Sequence, residues 1–112
     1  MLDRPDTRRT SPRAEVALDV RLAHKVGRAV IARTLDLSAG GARVTSERPL
    51  RVDEEMRFDV DLPEGGCHIE CIARVLRQDR HNVYALRFER IADDTRAELR
   101  TFVEATAGAP LH

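Results

Sequence analysis

Apolar and polar residues alternate with a period of two along most of the chain, and clusters of Gly, Pro, Asp, Asn and Ser interrupt the alternation. Val16, Leu18, Val20 and Leu22 alternate with Ala17, Asp19 and Arg21, which predicts a half-buried strand. The β-branched run from Val26 to Leu35 predicts a second strand. It leads into Asp36-Leu37-Ser38-Ala39-Gly40-Gly41, a turn signal, and Ala42-Arg43-Val44-Thr45 leaves that turn as a third strand. Residues 46–55 are polar and contain Pro49, so they read as a loop. Met56, Phe58, Val60 and Leu62 alternate with Arg57, Asp59 and Asp61, the clearest strand in the chain. Pro63-Glu64-Gly65-Gly66 predicts a hairpin loop. After it, Ile69, Cys71, Ala73 and Val75 line one face of a strand, and His68, Glu70, Ile72, Arg74 and Leu76 line the other. Asp79-Arg80-His81-Asn82 predicts another turn, and Tyr84, Leu86 and Phe88 a final strand. Several short strands separated by turns predict a mainly β fold, a six-stranded antiparallel barrel or sandwich.

The period then changes. Thr95, Leu99, Phe102, Val103 and Thr106 recur at three and four residues, so one face of a helix is mostly apolar. Asp93-Asp94 places negative charge at its N-terminus, and Gly108 and Pro110 end it. A helix this short is marginal alone, so it is expected to plug one end of the barrel. Residues 1–13 carry Arg4, Arg8, Arg9 and Arg13 with Pro5 and Pro12 and almost nothing apolar. They read as a flexible N-terminal arm, residues 14–107 as barrel plus helix, and residues 108–112 as a tail.

Charge and composition narrow the function. The chain has 112 residues, enough for one domain, with Lys plus Arg and Asp plus Glu both 19 and a formal net charge of zero. A nucleic-acid footprint is not expected from that balance, and with no Trp, one Tyr and three Phe there are few rings to stack on bases. No apolar run approaches a membrane span, and MLDRPDTRRT lacks the apolar core of a secretory signal, so the expected location is cytoplasmic and no membrane partner is expected. Lys25 is the only Lys, so almost every cation is a planar, forked Arg donor.

Cys67 and Cys71 stand four apart on a strand, about 13 Å at ~3.3 Å per residue, too far for a disulfide. They read as a strand-end residue and a core residue, and no metal site is expected from them. His24, His68, His81 and His112 are scattered, and none lies in a nucleophile pattern. Asp59 and Asp61 share the solvent face of their strand and read as solvated charges. No catalytic residue and no cofactor are expected.

Two segments stand out. Arg8-Arg9-Thr10-Ser11-Pro12-Arg13 offers forked donors for phosphate oxygens, and Arg pairs bidentately with guanine O6 and N7. Asp36-Leu37-Ser38-Ala39-Gly40-Gly41 offers a carboxylate for the guanine N1 and N2 donors and a hydroxyl that donates or accepts. Gly40 and Gly41 are expected to let a backbone approach closely and to take positive φ. Taken together these groups describe a guanine nucleotide with phosphates, and no Gly-x-x-x-x-Gly-Lys loop is present to hold GTP.

At these residues the chain resembles the PilZ domain family of bacterial cyclic di-GMP receptors. That family carries an Arg-x-x-x-Arg motif in an N-terminal loop and an Asp/Asn-x-Ser-x-x-Gly motif on a barrel. Arg9 and Arg13 match the first, preceded by the basic Arg8; Asp36, Ser38 and Gly41 match the second. The resemblance runs from about Arg8 to Val103 and departs from the family at Ala85, where Gly is frequent. It implies that Arg9 and Arg13 wrap the ligand and that Arg8 adds phosphate or stacking contacts. Asp36 and Ser38 would hold a guanine, with Gly40 and Gly41 giving clearance. In the family the ligand is one molecule or an intercalated pair. The resemblance also implies a downstream protein partner, with outputs in motility, exopolysaccharide synthesis or biofilm formation. The alternative is a PilZ-like protein-interaction module that does not bind nucleotide. No apolar stripe demands a dimer, and the oligomeric state stays open.

Magnitudes add one expectation. Ordering Arg9 to Arg13 costs on the order of 1–2 kcal/mol per residue. Two bidentate Arg contacts at ~1–3 kcal/mol each barely offset it, whereas a micromolar ligand needs about −8 kcal/mol net. Pro12 narrows the unbound ensemble. The arm is therefore expected to be loose without ligand, to fold across the barrel with it, and to signal through the changed surface.

Overall fold

The computed structural model describes residues 12–24, 27–63 and 66–107. The elements are β1 (Arg13–Ala14), β2 (Asp19–Ala23), β3 (Ala29–Ser38), β4 (Gly41–Ser46), β5 (Glu55–Asp61), β6 (His68–Arg80), β7 (Val83–Arg90) and α1 (Asp93–Ala107). All strand pairs are antiparallel. The order β3-β2-β5-β6-β7-β4 closes through β3–β4, so six strands form a barrel, with β1 as an extra strand on β3. The β5–β6 pair therefore lies across the barrel from β3–β4.

Period-two alternation makes this closure possible, because every second side chain points inward. Val20, Leu22, Met56, Phe58, Val60, Ile69, Cys71, Val75, Leu86 and Phe88 fill the interior, with the Phe58 and Phe88 rings tilted at 58° and 4.9 Å between centroids. Three register shifts in β6 against β7 let that long strand bend round the barrel. Leu99 and Val103 of α1 enter the same core, and the helix packs on β1, β3 and β6. Each such burial contributes about 1.5–3 kcal/mol, which holds a helix too short to persist alone.

The expected six strands and terminal helix are present, with shifted ends. Val16 and Leu18 precede β2. They are held by Thr34, whose hydroxyl donates to the Val16 carbonyl and accepts from the Leu18 amide at 2.8 Å. The expected turn over residues 36–41 shrinks to Ala39-Gly40, because β3 runs through Ser38. Likewise β6 runs through Arg80, and the chain reverses at His81-Asn82 with Asn82 at φ 71°. Ladder pairing extends these strands past their polar ends, which composition alone marked as turns. Arg13, placed in the arm by sequence, pairs in β1 because Ala14 is fully buried opposite Leu37. The arm residues 1–11 and the tail 108–112 lie outside the described residues. Among the described residues, no helix is long and apolar enough to cross a membrane.

Candidate functional site

A bulge builds the site. In β3, Ala32 and Thr34 point inward, and unbroken alternation would send Asp36 and Ser38 inward as well. Register shifts between Thr34 and Asp36. Beyond it Leu37 is the inward residue, paired with inward Ala42, while Asp36 pairs with Arg43 and Ser38 with Gly41 on the outer face. One extra residue, Leu35, thus turns a motif that would face the core out to solvent.

On that face β1 adds its contribution. Arg13 is the register partner of Ser38, and Ala14 that of Leu37, so Arg13 stands outside, beside the motif. The structure thereby brings together Arg13, Asp36 and Ser38 from segments more than 20 residues apart in the chain. Arg8 and Arg9 lie outside the described residues.

Asp36 is 8 % exposed although it faces outward. Among the described residues its ion pair is to Arg43 Nη1, at a long 3.5 Å. Arg43 Nε is buried, lies 3.4 Å from Asp79 Oδ2, and makes no hydrogen bond. A carboxylate and a guanidinium held this loosely keep capacity for further donors and acceptors. Sequence reasoning missed Arg43 as a neighbour of the motif. Its position seven residues after Asp36 becomes informative only once β3 and β4 pair.

Ser38 has a local task too. Its hydroxyl donates to the Gly41 carbonyl at 3.3 Å and accepts from the Gly40 amide at 3.2 Å, closing the turn. The Phe88 amide donates to the Gly40 carbonyl at 2.9 Å, and Arg96 Nη1 of α1 to the Ala39 carbonyl at 3.4 Å. The turn is thus tied to β7 and to the helix.

The two glycines differ. A Cβ on Gly40 would meet nothing within 4 Å, so this side of the turn is open. A Cβ on Gly41 would lie 2.2 Å from the Leu86 carbonyl oxygen. The close approach expected of Gly41 is therefore toward β7, within the sheet. Positive φ, expected at both, occurs at neither; among the described glycines it is found at Gly27.

The cysteines behave as read: Cys71 is buried, which pushes its thiol up to about 12, and Cys67 is free at the entry to β6, raised by a hydrogen bond to Glu98. Asp59 does not match the expectation of a solvated charge. It is 8 % exposed, because His68 folds over it from the neighbouring strand. Only Asp61 of that pair is open to solvent.

The PilZ domain model matches residues 7–105. Nothing among the curated proteins matches. Several solved structures share the fold, and three of them illustrate the likeness. The Bacillus subtilis inhibitor of motility, MotI/DgrA, aligns at TM-score 0.72 and 25 % identity over 86 % of this chain and 49 % of its own. This chain thus spans about half of that protein. The PilZ domain of CeSA from a cellulose-synthesizing bacterium aligns at 0.64 and 20 % identity, over 81 % of this chain and 93 % of its own. The PilZ domain of Escherichia coli YcgR, solved with c-di-GMP, aligns at 0.70 and 14 % identity, over 88 % of this chain and 91 % of its own. With the barrel closed, its helix in place and the family model matched over nearly the whole length, the chain belongs to the PilZ domain family.

Proposed function

We propose that this protein is a PilZ-type receptor and adaptor that binds cyclic di-GMP. Arg8, Arg9 and Arg13 supply donors to phosphates and guanine Hoogsteen edges, and Asp36 accepts from guanine N1 and N2. Ser38 keeps the turn closed at the edge of the site, and Gly40 leaves clearance above it, while Gly41 permits the tight β4–β7 pairing beneath. The observation that carries this reading is the pairing of Arg13 with Ser38, which sets the end of the first motif against the second on one outer face. It is supported by Asp36, whose guanidinium partner is 3.5 Å away. Binding carries no chemistry; the message is the arm laid across the barrel, read by a protein partner in the cytoplasm.

Isothermal titration with cyclic di-GMP tests this. Wild type is expected to show saturable binding, with a stoichiometry that reads one molecule or an intercalated pair. The double variant Arg9→Ala, Arg13→Ala is expected to lose about 30-fold or more in affinity, since two bidentate contacts contribute ~1–3 kcal/mol each. Unchanged binding in that variant would refute the assignment. Absence of binding in wild type would leave a protein-interaction module.

A further inference from the structure

Across the barrel from the motif face, four side chains meet on the outside of the β5–β6 pair. Asp61 is the register partner of His68, and Asp59 that of Glu70, so all four project from one face of the same ladder. His68 Nδ1 lies 2.7 Å from Asp61 Oδ1, and His68 Nε2 lies 2.8 Å from Asp59 Oδ1 and 3.9 Å from Glu70 Oε1. Arg57 approaches the far oxygens of the same two carboxylates, Asp59 Oδ2 at 3.6 Å and Glu70 Oε2 at 3.8 Å. Each carboxylate is thus held from behind by a guanidinium, with its other oxygen turned toward the imidazole.

We propose that Asp59, His68 and Glu70 form a binding site for a divalent cation of the zinc class, with Asp61 orienting the imidazole. The argument rests on where the donor atoms sit. Nδ1 faces Asp61 Oδ1, and Nε2 faces Asp59 Oδ1 and Glu70 Oε1. A cation that replaces the proton on Nε2 meets three donor atoms at once, while the proton on Nδ1 still donates to Asp61. A carboxylate on the distal ring nitrogen is the usual outer partner of a metal-bound histidine. Spacing agrees: a tetrahedral zinc with ligands at about 2.0–2.2 Å sets donor atoms about 3.3–3.6 Å apart. The distances from Nε2, 2.8 and 3.9 Å, bracket that value, and the three donor atoms lie within 4.8 Å of one another. One imidazole and two carboxylates suit zinc or cobalt better than calcium, which prefers all-oxygen cages. Asp59 is nine-tenths buried, which shields the cation on one side, and His68 is 48 % exposed, which leaves a fourth position for water.

The test uses the full, tag-free chain after chelator treatment, titrated with Co2+ and then with Zn2+. One equivalent of Co2+ is expected to give visible bands of four-coordinate intensity, without a thiolate charge-transfer band, and Zn2+ to displace it. Asp61→Asn is expected to weaken binding about 10–100-fold, and His68→Gln to weaken it more. Glu70→Gln, at an exposed position that the fold does not need, is expected to weaken it as well. His81→Gln, in the β6–β7 turn, is expected to bind as wild type does. Failure of wild type to saturate at one equivalent, a thiolate band, or unchanged affinity in both His68→Gln and Glu70→Gln would each overturn the proposal.

Discussion

Asp36 and Asp59 are both 8 % exposed, both on the outer face of the barrel, and on opposite walls of it, yet their surroundings differ. Asp59 is gripped at 2.8 Å by an imidazole that a second carboxylate holds in turn. Asp36 has a guanidinium at 3.5 Å, whose Nε makes no hydrogen bond. Burial alone therefore does not identify a carboxylate open to a nucleotide's donors. One of the pair has its lone pairs organised within the fold, and the other is shielded from water with its partner kept at a distance. The second condition favours an incoming donor, because little must be broken before a new hydrogen bond forms.

That contrast can be broken at its scaffold. Gly41→Ala would drive a methyl into the Leu86 carbonyl at 2.2 Å, and neither backbone can step aside without opening β4 from β7. A loss of about 3 kcal/mol or more is expected, read by chemical denaturation, together with loss of nucleotide binding. The same change at Gly40, where space is open, is expected to leave the denaturation midpoint nearly unchanged.

Paired substitutions at the two aspartates sharpen it. Asp36→Asn is expected to lower nucleotide affinity about 10–100-fold, the range of one hydrogen bond to a charged group, with little change in stability. Asp59→Asn is expected to do the reverse, lowering stability by on the order of 1 kcal/mol while nucleotide affinity holds. Titration calorimetry and thermal denaturation on both variants give the comparison directly. If both lose affinity alike, the two walls do not act separately.

The smallest effect is expected at Glu89, a surface carboxylate that accepts from Arg74 Nε at 2.8 Å and Arg87 Nη2 at 3.1 Å. These hydrogen bonds, Arg74 first, lower its pKa from 4.5 to about 2. A depressed carboxylate stabilises the fold above its unfolded value, and that contribution is lost as pH falls toward about 2. Glu89→Gln should therefore melt below wild type at about pH 6, with the gap closing on acidification. A gap that widens in acid would contradict the assignment.

How much of this could be read in advance depends on the range of each interaction. Alternation is local, so Phe58, Val60, Ile69 and Val75 mark their strands and core face without help. The helix is local as well, since Leu99, Phe102 and Val103 set its face. The bulge left a trace in the jump of the apolar pattern from Thr34 to Leu37, but a reading that took residues 36–41 as a turn absorbed it. β1 left none: two residues become a strand only because Leu37 and the helix cover Ala14. Nor does anything near Asp59 announce its burial, which needs His68 to arrive from across a hairpin. Arg13, Asp36 and Ser38 were legible as chemistry, and their meeting on one face depends on the bulge and on β1, both tertiary outcomes.

The pairing of β3 with β4 has a consequence for how this molecule meets others. A sheet that closes on itself leaves no row of free amides and carbonyls, and among the described residues the exposed ladder is reduced to the two positions of β1. Among the described residues no long edge is left on which another chain could add a strand, so recognition there falls to side chains on the outer wall. On the function proposed above, an arm laid over such a wall would change what a partner meets while leaving the barrel beneath as it was.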